Sequence, residues 1–352
     1  MNDPVELLTS LLKIYSPSHQ EQAAVDYLAN RLQKMGYTAF VDAAGNAVGK
    51  RGVGPNEIML LGHIDTVPGF IEVRREEDLI YGRGSVDAKG SLACFVVAAA
   101  AVQPPPGWRI TVIGAVGEES ASHGASFVCD LYRPQMLVIG EPSKWDRITL
   151  GFKGSLWVSY NVQQPMAHTA SASASACEIA IQFWNEAKEW CASLSPQDAT
   201  AFYQLTPSLR GMDSTNDGFI ETAHMRLNFR LPPGIGIDQV KEKLCALRKE
   251  GELIFGDGDP AYRAEKNTPL VRSFLSAIRS TGGNPVFSLK TGTSDMNLVT
   301  PTWNCPAVAY GPGDSSLDHT PHEHLSISEY LKSIAVLQKV LEQVMLPLHP
   351  KS

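Results

Sequence analysis

The spacing of hydrophobic residues predicts alternating helices and strands in the first half of the chain. Residues 4–14 and 20–35 repeat apolar positions at helical spacing, and Gly36 is a residue that ends helices. Short apolar runs between turn residues predict buried strands at 57–61, 109–115 and 135–139. Residues 88–102 are small and apolar, which predicts a buried helix between strands. This alternation predicts an α/β fold with a mostly parallel sheet that is covered on both faces.

The middle of the chain has a different pattern. Residues 155–163 and 221–231 alternate apolar and polar positions, as half-exposed strands do. Each run is followed by a helical pattern, at 176–194 and at 237–249. Two strands of this kind, each followed by a helix, predict a two-layer α+β domain of the ferredoxin-like type with an antiparallel sheet.

The α/β pattern returns after about residue 262. Helical spacing recurs at 270–280 and 326–344, and short apolar strands are predicted at 286–289 and 307–310. We therefore predict one domain formed by residues 1–152 and 264–352. A smaller domain, residues 153–263, is inserted into it.

Composition and charge favour a globular protein of the cytoplasm. The chain has 352 residues, of which 43% are hydrophobic, and its formal net charge is −7. That charge argues against a general nucleic-acid binder and against recruitment to an anionic membrane. No apolar run is long enough to span a bilayer, and the N-terminus lacks a signal-peptide pattern. The six cysteines form no Cys-x-x-Cys pair, so we expect reduced thiols and no cysteine zinc site.

Acidic residues and histidines follow the predicted strands. The carboxyl ends of parallel strands share one edge of a sheet, where ligands bind. The clustered residues are His63, Asp65, Asp87, Glu118, Glu119, Glu141, Asp318 and His319, and most of them lie within three residues of a glycine.

These residue types suit a pair of divalent metal ions. Imidazole and carboxylate ligands accept zinc, cobalt or manganese, and one carboxylate can bridge two ions. An acid beside the ligands can then take a proton from water. A lone His-x-Asp segment or a Glu-Glu pair is more often ordinary surface. The convergence of several such groups at glycine-flanked strand ends favours a metal site instead.

Four motifs resemble one family of enzymes. They are residues 62–68 (GHIDTVP), 82–90 (GRGSVDAKG), 118–119 (EE) and 140–143 (GEPS). In this order they resemble the acetylornithine deacetylase and succinyl-diaminopimelate desuccinylase family of zinc amidohydrolases and peptidases. The resemblance implies a zinc-peptidase-like catalytic domain with two Zn²⁺ ions, for which Co²⁺ can substitute.

The resemblance also implies a role for each residue of the cluster. One metal is held by His63 and Glu141, the other by Glu119 and His319, and Asp87 bridges them. Glu118 resembles the general base, and Asp65 resembles the acid that orients His63. Residues 319–323 (HTPHE) fit the closing motif of the family, so we place His322, the competing histidine, at the rim.

For the inserted domain the resemblance implies a lid that also forms a homodimer. Residues 166–169 (MAHT) resemble the segment whose histidine, here His168, reaches the active site of a partner subunit. A histidine in an ordinary polar loop is the alternative. Asn216 and Arg230 resemble substrate-contacting positions, and an arginine suits a carboxylate. Arg230 could equally be an exposed strand residue.

A narrower resemblance concerns the substrate. Residues 289–297 (LKTGTSDMN), 310–315 (YGPGDS) and 317–321 (LDHTP) resemble the branch that acts on LysW, an amino-group carrier protein. That branch removes lysine or ornithine from the carboxyl-terminal glutamate of the carrier in lysine or arginine biosynthesis. The resemblance implies a product-contacting loop with Lys290, Gly292, Thr293 and Ser294, although Lys290 could be a surface cation.

Two alternatives remain open at the level of sequence. A deacylase in the same family could act on acetylornithine, acetyllysine or a dipeptide. A metal-free binding protein could retain the fold, although the complete set of acids and histidines argues against this.

Overall fold

The computed structural model describes residues 3–194 and 198–346. The chain forms two compact units. The first unit contains the residues up to 151, residues 264–288 and the residues from 294 onward; the second contains residues 152–263 and 289–293. The lid and dimerisation roles of the inserted segment stay predictions.

The helices have the following bounds in chain order: α1 (Pro4–Lys13), α2 (Gln22–Lys34), α3 (Lys89–Ala101), α4 (His123–Leu131), α5 (Ala176–Leu194), α6 (Ile237–Leu247), α7 (Pro269–Ser280), α8 (Asp295–Trp303) and α9 (Ile327–Val344). The strands are β1 (Thr38–Val41), β2 (Ala47–Gly52), β3 (Asn56–His63), β4 (Arg74–Glu76), β5 (Leu79–Tyr81), β6 (Trp108–Ala115), β7 (Met136–Ile139), β8 (Arg147–Phe152), β9 (Gly154–Pro165), β10 (Thr206–Asn216), β11 (Ile220–Leu231), β12 (Glu252–Phe255), β13 (Tyr262–Arg263), β14 (Val286–Lys290), β15 (Ala307–Ala309) and β16 (His324–Ser326).

The first unit is built on a central sheet with the strand order β1-β2-β6-β3-β7-β15-β8, and β14 pairs with β8. The four central strands, β6, β3, β7 and β15, run parallel to one another. The pairs at the flanks, β1 with β2, β2 with β6 and β15 with β8, are antiparallel. The predicted α/β fold with parallel strands at its centre is therefore confirmed.

The helix α3 is buried around most of its circumference, as its uniform apolar sequence predicts. It packs against β3 and β6. Two glycines, Gly62 on β3 and Gly114 on β6, allow this close approach. A Cβ atom added to Gly62 would lie 3.5 Å from the Leu92 side chain. A Cβ atom added to Gly114 would lie 3.1 Å from the Leu92 side chain and 2.9 Å from that of Leu28. The small residues of β3 and β6 thus set how closely the helices approach the sheet.

The second unit has the chain order β9-α5-β10-β11-α6-β12, and its sheet has the order β10-β11-β9-β12 with antiparallel pairs. Alternate β9 residues, among them Leu156, Val158 and Tyr160, join the core with Phe183 of α5 and Leu244 of α6. This is the ferredoxin-like arrangement predicted from the alternating pattern. Within residues 3–194 and 198–346, no helix combines the length and the apolar character needed to cross a membrane.

Candidate metal centre

The candidate residues of the first unit lie on loops that leave the same edge of its sheet. Strands β3 and β6 are parallel and end opposite each other, at His63 and Ala115. The chain stays paired just beyond the strands, because the Gly140 amide donates to Leu61 and the Tyr310 amide donates to Ile139. The loops after β3, β6, β7 and β15 therefore begin side by side.

Three of these residues form a compact group of potential ligands. Asp87, Glu119 and His319 each have a ligand atom within 4.8 Å of the others. His319 Nε2 lies 3.0 Å from Asp87 Oδ2 and 3.1 Å from Glu119 Oε2. The other oxygen of Asp87, Oδ1, lies 3.2 Å from His63 Nε2. Asp87 thus stands between two histidines, with one carboxylate oxygen toward each.

Glu118 and Glu141 complete the group as strongly perturbed acids. Burial raises the pKa of Glu118 well above its usual value, and the charge of Glu141 raises it further, although His63 opposes this. Burial also raises the pKa of Glu141, and the charge of Asp87 adds to this effect. The mutual interaction places both carboxyl groups in the same electrostatic environment as the histidines.

The neighbouring carboxylates raise the pKa of both histidines. Hydrogen bonds to Asp87 and Glu119 raise the pKa of His319 to about 10. Burial lowers the pKa of His63, but hydrogen bonds to Asp65 and Asp87 outweigh it and leave the pKa well above the usual value. A raised pKa favours the protonated imidazole, whose N–H can donate to these carboxylate oxygens.

This donor set fits a pair of divalent cations. A cation can replace those protons and compensate for the repulsion among the acids. Imidazole and carboxylate ligands together suit zinc-like ions. The residues that could hold them are His63, Asp87, Glu119, Glu141 and His319.

Asp65 holds the turn that carries Glu118 and Glu119. Its side chain is fully buried. Oδ1 accepts a hydrogen bond from the Glu118 amide and Oδ2 accepts one from the Glu119 amide, each at 3.1 Å. Its main-chain oxygen lies 3.0 Å from His63 Nδ1. Asp65 therefore contacts both His63 and the main chain of the glutamate pair, and its role in orienting His63 stays a prediction.

A second buried acid, Glu323, has a role that the motif did not reveal. Its Oε1 accepts hydrogen bonds from the Val86 amide at 2.9 Å and from the Asp87 amide at 3.0 Å. Its Oε2 pairs with Arg83 Nη1 at 2.8 Å. The sequence places Glu323 four residues after His319, within the closing motif. It could not predict the hydrogen bonds of Glu323, because main-chain amides of any residue type can donate them.

Asp295 is a further acid that the sequence analysis did not single out. It is buried and is the first residue of α8. Because α8 leads into the parallel strand β15, its first residue lies at the same edge as the strand ends. The charge of Asp295 raises the pKa of both Glu118 and Glu141. A short Ser-Asp segment after a glycine loop was the only sequence signal for it.

The predicted substrate residues lie in both units. In the first unit, the Ser294 side chain caps α8 by accepting from the Met296 amide at 3.3 Å. In the second, Arg230 is partly buried, and its Nη1 donates to Thr293 Oγ1 at 3.2 Å. The main-chain oxygen of Lys290 accepts from the Lys153 amide. Their contacts with a substrate stay predictions.

The remaining three predicted residues are more open. His168 and Asn216 are exposed, and Gly292 has no atom within 4 Å of an added Cβ. The His168 ring accepts from the Ala170 amide at 3.1 Å, within a local turn. Asn216 is the last residue of β10 and is paired with Glu221. The predicted roles of His168 and Asn216 stay predictions.

Comparison with known proteins gives full-length matches. A family model described as peptidase family M20/M25/M40 matches residues 59–343. A [LysW]-lysine hydrolase from Deinococcus radiodurans is 41% identical, with 96% of each chain covered. A Thermococcus kodakarensis protein, provisionally named [LysW]-lysine/[LysW]-ornithine hydrolase, is 40% identical over 97% of this chain and 92% of its own.

Solved structures agree on the fold. The M20 family metallo-carboxypeptidase Sso-CP2 from Sulfolobus solfataricus superposes with a TM-score of 0.79. The match covers 98% of this chain and all of that chain, at 18% identity, which shows a shared fold alone. The family resemblance inferred from the motifs is confirmed. The family model matches most of this chain. The chain therefore belongs to peptidase family M20/M25/M40 and is a hydrolase of carbon–nitrogen bonds.

Proposed function

We propose that this chain is a metal-dependent amide hydrolase that releases lysine, ornithine or both from the carboxyl-terminal glutamate of a LysW-type carrier protein. The observation that carries the proposal is the 41% identity to a [LysW]-lysine hydrolase over 96% of both chains. Relatives that share both length and sequence at this level support a shared substrate class better than fold similarity does.

The proposed cofactor is a pair of Zn²⁺ ions, with Co²⁺ able to substitute. His63 and Glu141 would hold one ion, Glu119 and His319 the other, and Asp87 would bridge them. Support comes from the two Asp87 oxygens, which lie 3.2 Å and 3.0 Å from the His63 and His319 nitrogens. When bound, the ions would supply Lewis acidity at the amide carbonyl and a water molecule of lowered pKa.

Glu118 is the proposed proton carrier. It accepts a proton from the attacking water and donates it to the leaving amine, so one carboxyl group acts as base and then as acid. The amide of Glu118 is bound to Asp65, which keeps the carboxyl beside the ligands. Asp65 also orients His63 by contact with its Nδ1.

Most of the residues proposed to contact substrate belong to the second unit, and Ser294 belongs to the first. Arg230 would pair with a substrate carboxylate, and its bond to Thr293 supports the guanidinium in one orientation. Lys290, Gly292, Ser294 and Asn216 are proposed as further contacts. His168 is proposed to stabilise the developing oxyanion across a homodimer interface formed by residues 153–263.

The proposed setting is the cytoplasm, within lysine or arginine biosynthesis. The test is mass spectrometry of purified LysW–lysine and LysW–ornithine conjugates before and after incubation with the zinc-loaded enzyme. We expect the conjugate to lose the mass of the amino acid minus one water molecule, and to show no such loss after chelation. Acetyllysine and acetylornithine serve as comparison substrates. Faster turnover of these small amides than of both conjugates would contradict the proposal and favour a small-substrate deacylase.

A further inference from the structure

The Asp65 carboxylate accepts hydrogen bonds from three donors in separate parts of the first unit. Two are the main-chain amides of Glu118 and Glu119. The third is the Ser18 hydroxyl, which donates to Oδ2 at 2.7 Å. A hydroxyl bound to a buried carboxylate at this distance makes a charge-assisted hydrogen bond, stronger than one between neutral groups.

Ser18 reaches Asp65 from the loop between α1 and α2, and its main chain is fixed independently of its side chain. The Ser18 amide donates to the Thr66 oxygen at 3.3 Å, and the Thr66 amide donates to the Ser16 oxygen at 3.0 Å. The Ser16 hydroxyl adds a bond of 2.8 Å to the Ile64 oxygen. Removal of the Ser18 hydroxyl would therefore leave the path of the loop intact.

The Ser18 hydroxyl is not needed to start the next helix. Helix α2 begins at Gln22, with Glu21 at its N-cap position. The bond to Asp65 links residues 47 positions apart and joins the loop to the carboxylate beneath the glutamate pair. Its effect is therefore on Asp65, not on local secondary structure.

We propose that Ser18 is a positioning residue, whose hydroxyl fixes the rotation of the Asp65 carboxylate and thereby the turn that carries Glu118 and Glu119. Without it, Oδ2 keeps the Glu119 amide alone, and the carboxylate can turn about its side-chain bond. Small displacements of a catalytic carboxyl lower turnover steeply. The inference rests on the function proposed above, because it assumes that Glu118 carries the proton.

The experiment compares Ser18→Ala, Ser18→Thr and Ser16→Ala with the wild-type enzyme. Each is assayed on the LysW–lysine conjugate at saturating zinc, with metal content and thermal stability measured on the same samples. We expect Ser18→Ala to lower kcat roughly 10-fold to 100-fold, the range for lost supporting contacts. KM should stay within about twofold and metal content should stay unchanged. Ser18→Thr restores the hydroxyl and should recover most of kcat.

Ser16→Ala is the matched control, since it removes a hydroxyl from the same loop that does not reach Asp65. It should lower thermal stability but keep kcat within about twofold.

The inference is overturned if Ser18→Ala, fully metal-loaded, keeps wild-type kcat, or if Ser18→Thr is as slow as Ser18→Ala. The Glu118→Gln variant distinguishes failure of the Ser18 inference from failure of the proton-carrier role proposed for Glu118. If Glu118→Gln is inactive and Ser18→Ala is not impaired, the role of Ser18 alone fails. If metal-loaded Glu118→Gln is active, the proton-carrier role fails too.

Discussion

At the scale of single residues, Glu118 and its neighbour Glu119 should respond differently to the same substitution. Glu118→Gln keeps the size of the side chain but cannot accept a proton. We expect turnover to fall at least about 10²-fold with metal content and substrate binding near normal. Glu119 contacts His319 at 3.1 Å, so Glu119→Gln should lower metal occupancy instead. Steady-state kinetics with elemental analysis distinguish the two, and an active, metal-loaded Glu118→Gln enzyme would refute the assignment.

Metal binding should become tighter as the pH rises. The pKa of His319 is raised to about 10, so its proton stabilises the metal-free protein fully below about pH 6.5 and this contribution is lost as the pH rises toward 10. A metal needs the unprotonated ring. Titration of metal-free protein with zinc in lightly buffered solution should therefore release protons near pH 7. The apparent affinity should increase between about pH 6 and 8.

The neighbouring histidine provides the control for that titration. His319→Ala should lose most zinc affinity and activity, with fewer protons released. His322 is exposed, and its main-chain oxygen accepts from His324, so His322→Ala should retain both. The reverse pattern would mean that His322 is the ligand. Zinc affinity that is independent of pH would contradict the role of protons as competitors.

Individual site residues could be predicted from their position after strands, but their supporting contacts could not. His63, Glu119 and His319 converge because β3, β6 and β15, which precede them, belong to the parallel part of one sheet. Asp87 follows β5 of another sheet and joins them just before α3. By contrast, Glu323 acts through main-chain amides 236 and 237 positions away. Such bonds depend on loop geometry and leave no pattern of residue types.

At the scale of elements, the ion pair of Arg83 and Glu323 joins the segment before α3 to the segment before β16. The Arg83 side chain is 8% exposed and that of Glu323 is fully buried. Arg83→Met should leave a buried, unpaired carboxylate and cost about 3 kcal/mol or more of unfolding free energy. Chemical denaturation measures this cost. An unchanged denaturation midpoint would show that the pair is dispensable.

A more exposed ion pair of the same length provides the comparison. Lys144 and Asp314 are separated by 2.8 Å, with side chains 38% and 44% exposed. Lys144→Met should change stability by less than about 1 kcal/mol, because water screens such pairs. An equal loss in both variants would mean that burial is not the cause.

Helices and strands with long runs of apolar spacing were easier to predict than short or exposed ones. The short elements α4, α8, β2 and β8 were missed although each has several buried residues. The helix at 176–194 and most of the others agree with the structure within about two residues, because apolar spacing marks a buried face. The strand β10 was missed. All but two of its eleven residues are exposed, so it lacks the apolar alternation that marks a packed strand. Its place is set by pairing with β11.

At the scale of the whole molecule, the predicted homodimer can be tested through His168. If the side chain acts on a partner subunit, His168→Ala should lower turnover far more than metal content. Sedimentation analysis should find a dimer for both proteins. Mixing His168→Ala with inactive Glu118→Gln should restore part of the activity in heterodimers. A fully active monomer would exclude action across an interface.

The hydrogen bonds between the Asp65 carboxylate and the main chain have a practical consequence. Because the carboxylate binds the amides of residues 118 and 119, the shape of that turn does not depend on which side chains stand there. A Glu118→Gln enzyme should then keep its binding surface while cleavage is blocked. Immobilised on a column, it would serve as bait that retains the uncleaved carrier conjugate from a cell extract. The amino acid borne by the natural conjugate could then be read directly by mass.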